Sequence, residues 1–155
     1  MEANQEIPVV IAIHTSSRDE SGAPDEKMRM LAHGVLIPQQ DGAHLLRYTE
    51  TITDEDSGAT MSTEVRLKIE AARVLMHRKG TFSTTMVFSR GQRFEGTYRT
   101  PYGEMAMAVY TTRLVTALQA DRGRIALEYQ LDMNGGFSSM RKMTIEFGAE
   151  ELMPS

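Results

Sequence analysis

Between residues 123 and 148 the chain reads GRIALEYQLDMNGGFSSMRKMTIEFG, and its apolar side chains recur at every second position. Ile125, Leu127, Tyr129, Leu131 and Met133 alternate with Ala126, Glu128, Gln130 and Asp132. Met143, Ile145 and Phe147 alternate with Lys142, Thr144 and Glu146. A period of two places the apolar set on one face of a strand and the polar set on the other. Asn134-Gly135-Gly136 lies between the runs and tolerates the positive φ of a tight turn. This stretch is a hairpin with one face to bury.

Most of the chain repeats that design. Val9, Ile11 and Ile13 open a first strand, and 30–37, 45–52, 61–69 and 73–79 read as the next four. Phe82, Thr84, Met86 and Phe88 mark a sixth strand, Phe94, Gly96 and Tyr98 a seventh, and residues 105–112 an eighth. Gly34 interrupts the second strand and signals a bulge or a sharp bend. Residues 16–27 (SSRDESGAPDEK) are polar and read as a mobile loop, and 114–121 is the one stretch compatible with a short helix. Nine or ten strands joined by short turns form an antiparallel meander in which each strand pairs with the one before it. Such a sheet has two edges to protect unless it closes. A closed all-β barrel is therefore expected, in preference to a β-sandwich, whose Greek-key crossovers need longer connections.

With 155 residues the chain fits one domain, 1–155, with a core that needs no staples. It has no cysteine, so thiol nucleophiles, disulfides and thiolate metal sites are absent. No apolar run approaches the roughly 20 residues of a membrane span, and residues 1–13 do not resemble a signal peptide, so a cytoplasmic protein is expected. A net charge of −4 gives no bulk attraction to nucleic acid or to an anionic membrane.

Two residues break the apolar face. Glu50 shares its face with Leu46, Tyr48 and Ile52, and Arg78 shares its face with Val74 and Met76. An inward carboxylate is stable as an ion only with a partner such as an inward guanidinium. Either the two meet near one barrel mouth beside Tyr48, Tyr98 or Tyr129, or each turns out to solvent at a strand end. Twelve methionines are many for this length. Flexible and polarizable, they suit a wall that adapts to varied apolar shapes, with Met86, Met105, Met107, Met133 and Met143 as candidates. Ordinary core filling and compositional drift are the simpler account of them.

Known motifs are missing. Asp54-Glu55-Asp56-Ser57-Gly58 starts like a calcium loop, but Val65 occupies the place of the bidentate Glu. His14, His33, His44 and His77 lack metal-ligand spacing, and no nucleophile elbow or phosphate loop is present. No metal or cofactor is expected. Segment 73–99 carries Arg73, Arg78, Lys79, Arg90, Arg93 and Arg99 against Glu95, a candidate basic outer patch. Outward aromatics for base stacking are lacking there, which disfavours nucleic acid.

One set of residues resembles a known family. R-K-G at 78–80, G-x-Y-x-T-P-Y-G at 96–103, G-R-I-x-L-x-Y-x-L at 123–131 and M-T-I at 143–145 are similar, taken together, to the YwiB-like proteins. These are small bacterial β-barrels grouped by fold with the lipocalins and other calycins. The resemblance implies a lipocalin-like barrel of eight or more strands, no established activity and no catalytic residues to transfer. The Gly-x-Trp signature of secreted lipocalins is absent, since the chain has no tryptophan.

The leading expectation is a non-enzymatic barrel that takes a small apolar ligand into its interior, with Tyr48, Glu50, Arg78, Met86, Tyr98 and Tyr129 lining the site. The rival is an interaction module with a filled core that uses the basic patch at 73–99 or an exposed edge. An enzyme would need Glu50 as its base. Self-association into a homodimer is open to any barrel with an unpaired seam.

Overall fold

The computed structural model describes residues 5–19, 24–53 and 55–150, and in it the alternating runs become ten strands. They are β1 (Ile7–Asp19), β2 (Pro24–Pro38), β3 (His44–Thr53), β4 (Thr60–Ile69) and β5 (Val74–Gly80). The rest are β6 (Ser83–Phe88), β7 (Arg93–Thr100), β8 (Gly103–Leu118), β9 (Arg122–Met133) and β10 (Phe137–Ala149). Each pairs antiparallel with its neighbour in sequence, and β1 pairs with β10 from Val9↔Ala149 to Asp19↔Ser139, closing the barrel. At the β9–β10 turn Asn134 and Gly135 take φ values of 53° and 73°, the left-handed conformations that the hairpin requires.

Two expectations are corrected. The polar stretch 16–27 is largely strand: β1 continues to Asp19 and β2 begins at Pro24, while residues 20–23 lie outside the described residues. Ser16 and Ser17 pair with Lys142 and Arg141, so the ladder to β10 supplies backbone hydrogen bonds that low side-chain hydrophobicity does not forbid. The stretch 114–121 holds no helix, because residues up to Leu118 continue β8 against β9. A bulge between Thr111 and Arg113 inserts one residue and shifts the inward parity from Met107, Val109 and Thr111 to Leu114, Thr116 and Leu118. The shift erases the period of two when the segment is read straight through.

Gly34 is a point of close approach rather than a bulge. A Cβ there would lie 2.4 Å from the Arg47 carbonyl oxygen and 2.8 Å from Ile11 Cδ1. Its pairing continues to both sides, with Val9 of β1 and Tyr48 of β3. Beyond this point β2 and β3 part: their ladder covers Gly34–Pro38 against His44–Tyr48. The barrel wall loosens there towards the β1–β2 end.

The two ends of the barrel are built differently. Around Val9, Leu36, Leu46, Leu67, Ile69, Val74, Phe88, Ile125 and Phe147 the interior is packed solid, all of them 0–2% exposed. Each such side chain contributes about 1.5–3 kcal/mol by leaving water. The far part of β8 closes this end. Thr116 Oγ1 donates to the Ala71 carbonyl at 3.2 Å, and His44 Nε2 donates to the Gln119 carbonyl at 2.7 Å. The opposite end, which holds the β1–β2, β3–β4 and β9–β10 turns, is hollow.

Candidate functional site

The hollow end encloses a partly open cavity of about 550 Å3. Nine strands, all but β4, supply its wall, from Ile13 and Thr15 on β1 round to Arg141 and Met143 on β10. Seven methionines line it: Met28, Met30, Met76, Met86, Met107, Met133 and Met143. The register stacks several of them side by side, Met76 against Met86 and Met107 against Met133. Met105, half-buried near the β7–β8 turn, is not part of the wall. Met28 lies just beyond the loop expected at 16–27 and Met30 opens the strand expected at 30–37, but neither is among the methionines expected on the wall. Arg141 also escaped that expectation, although it shares the face of Met143 and Ile145, two and four residues on.

All six residues singled out from sequence line this cavity: Tyr48, Glu50, Arg78, Met86, Tyr98 and Tyr129. Glu50 and Arg78 do face inward. Arg78 Nη2 donates to Glu50 Oε2 in an ion pair whose side chains keep 24% (Arg78) and 11% (Glu50) of their surface exposed. Arg78 Nη1 also lies 3.9 Å from Met76 Sδ. The side chain of Ile52, grouped with Glu50 by alternation, is outside the described residues. Tyr98 is half-buried and packs against Phe82 with ring centroids 6.3 Å apart. The Tyr129 ring rests on Phe88 at 4.9 Å, where the cavity floor meets the solid core.

Tyr48 and Tyr129 are each only 4% exposed, and among the described residues neither hydroxyl has a hydrogen-bond partner in the protein. Burial pushes both phenols up from their ordinary pKa. At Tyr48 the Glu50 carboxylate adds to the rise and Arg78 opposes it. At Tyr129 Arg141 and, less, Arg78 oppose it, so the charge of both arginines is felt at that hydroxyl. A buried phenol normally finds a partner. Both of these line the cavity.

The other sequence candidates are dispersed. Of the basic segment, Arg78 points inward, and Arg73, Arg93 and Arg99 pair with Glu70, with Glu95 and Asp132, and with Glu104. Most of the arginines of the candidate basic patch are therefore paired with carboxylates or turned inward. The four histidines sit on β1, β2, β3 and β5, and among the described residues no three His, Asp or Glu side chains cluster as metal ligands. Asp54, at the head of the acidic turn, lies outside the described residues. No helix among the described residues is long and apolar enough to cross a membrane.

Comparison with known proteins agrees with the barrel. The family model described as "Domain of unknown function (DUF1934)" matches residues 11–145. The uncharacterized beta-barrel protein YwiB of Bacillus subtilis (strain 168) is 24% identical over 143 residues, which is 92% of this chain and 94% of that protein. The crystal structure of ywiB protein from Bacillus subtilis matches with a TM-score of 0.76 at 23% identity, over 93% of this chain and 92% of that one. That likeness establishes the fold alone.

Proposed function

This chain belongs to the DUF1934 family of unknown function, and on that premise we propose that it is a non-enzymatic, cytoplasmic binding protein that holds one small, largely apolar molecule in the open end of its barrel. The observation that carries the reading is the cavity itself. About 550 Å3 falls within the range of small-molecule sites, whose walls are mostly apolar with a few placed polar groups. A wall of seven methionines can repack round guests of different shape. The use is lipocalin-like: one end is packed for stability and the other is left free for a guest.

Binding is favoured over catalysis because Glu50, the one carboxylate on the wall among the described residues, is engaged by Arg78 and suits an anchor better than a proton acceptor. The outer surface carries ion pairs such as Arg113–Glu128 and Arg124–Glu146, which suit a barrel surrounded by water rather than lipid. Fold does not dictate function, so the test is direct. Native mass spectrometry of freshly purified protein is expected to show a small-molecule adduct that is lost on denaturation. The emptied protein is expected to take up the neutral dye Nile red, and Met143→Trp or Met133→Trp, which fill the cavity, are expected to prevent it. A bare mass together with no dye uptake overturns the reading.

A further inference from the structure

The charges on the cavity wall do not balance. Among the described residues Arg78, Arg141 and Lys142 line it against one carboxylate, Glu50. Glu50 is taken by Arg78, and Lys142 Nζ lies 3.8 Å from Glu128 Oε1, outside the cavity. Arg141 remains. Its Nε lies 3.5 Å from Ser139 Oγ, and among the described residues no carboxylate pairs with it. In the ladder it stands between Ser17 of β1 and Tyr129 of β10's other neighbour, β9, so the free guanidinium and the unpartnered Tyr129 hydroxyl belong to one stretch of wall. The electrostatic influence of Arg141 on the Tyr129 phenol bears out that proximity.

A cation at the mouth of a cleft with low-dielectric walls concentrates anions there. A guanidinium presents a planar fork of donors that fits a carboxylate at two points. The methionine wall behind it accepts an apolar chain. These two surfaces are satisfied together by one kind of molecule. We propose that the guest is an amphiphilic monocarboxylate, with its carboxylate paired to Arg141 and its apolar chain against the methionines. The inference rests on the binding function proposed above and adds the chemical class of the ligand.

Isothermal titration with dodecanoate, dodecan-1-ol and dodecylamine, each below its micellar concentration, tests it. Dodecanoate is expected to bind at least tenfold tighter than the alcohol, and the amine weakest. Arg141→Met is expected to lower dodecanoate affinity to near that of the alcohol, a loss several-fold larger than any change in alcohol binding. Arg141→Lys is expected to recover part of the loss. Arg141 is exposed, so an unchanged urea midpoint will confirm that each variant is folded. Equal affinity for acid and alcohol, or dodecanoate binding indifferent to Arg141→Met, overturns the proposal while leaving the cavity a binding site. Binding of none of the three, with no uptake of Nile red, overturns the binding function and the proposal with it.

Discussion

Arg78 and Glu50 pair across a strand that lies between them. Glu50 stands opposite Thr63, and Arg78 opposite Val65, on the two flanks of β4. The pair thus ties β3 to β5 over the inner surface of β4. Removing one partner leaves the other charge with little water. Glu50→Gln or Arg78→Met is expected to destabilise the fold by about 1–3 kcal/mol, less than for a fully buried pair because Arg78 keeps part of its surface in solvent. The double variant should cost less than the sum, since the second change removes the orphaned charge. Urea unfolding with unchanged m-values measures this, and strict additivity would deny the coupling.

Burial holds the Tyr48 and Tyr129 phenols neutral beyond their ordinary range. Their pKa values are raised in the folded state, so the unfolded chain loses these protons first as pH increases. The stability they contribute is therefore complete below about pH 10, the value for a free tyrosine, and declines as pH rises above it. Tyrosinate absorbance followed during alkaline titration should show a late fraction of the five tyrosines. Tyr48→Phe and Tyr129→Phe should each remove part of that fraction. A single transition insensitive to both changes would contradict the burial assignment.

The contrast between the barrel ends predicts unequal costs for truncation. Leu67 is packed on all sides at the solid end, and Leu67→Ala is expected to cost about 2–5 kcal/mol. Met143 borders open volume and already lacks contacts on one side. Met143→Ala should cost less than half as much in the same urea experiment.

Gly34 and Gly136 predict opposite tolerance to a methyl group. At Gly34 a Cβ would meet the Arg47 carbonyl oxygen at 2.4 Å, so the backbone of β3 must move. Gly34→Ala is expected to destabilise by about 1–3 kcal/mol. At Gly136 a Cβ meets nothing within 4 Å, and Gly136→Ala should stay within about 0.5 kcal/mol of the parent. Thermal midpoints of the two variants distinguish the sites.

Much of the site was legible as a pattern of faces. Alternation alone put Glu50 in the row of Tyr48, and Arg78 in the row of Met76. The wall residues missed from sequence have specific reasons. Met28 follows Pro24, Asp25, Glu26 and Lys27, a composition that suggests a loop until β1 is seen pairing with it, and Met30 stood at the very start of the expected strand. Arg141 shares the face of Met143 and Ile145, but Ser139 two residues before it gives no apolar beat, and the register with Tyr129 is what extends that face to it. The bulge near Thr112 hid the last part of β8 in the same way, by changing parity within one strand.

By itself the sequence determined the period of two, the turns and hence an antiparallel meander with one buried face. These are local properties, fixed by side chains and backbone preferences within a few residues. Only the tertiary structure decided that one end of the barrel is solid and the other hollow, and that among the described residues no carboxylate pairs with Arg141. Both depend on how far each inward side chain reaches across the barrel and which distant strand it meets. Alternation says which face a residue takes; the space left over in the middle is set by all ten strands together.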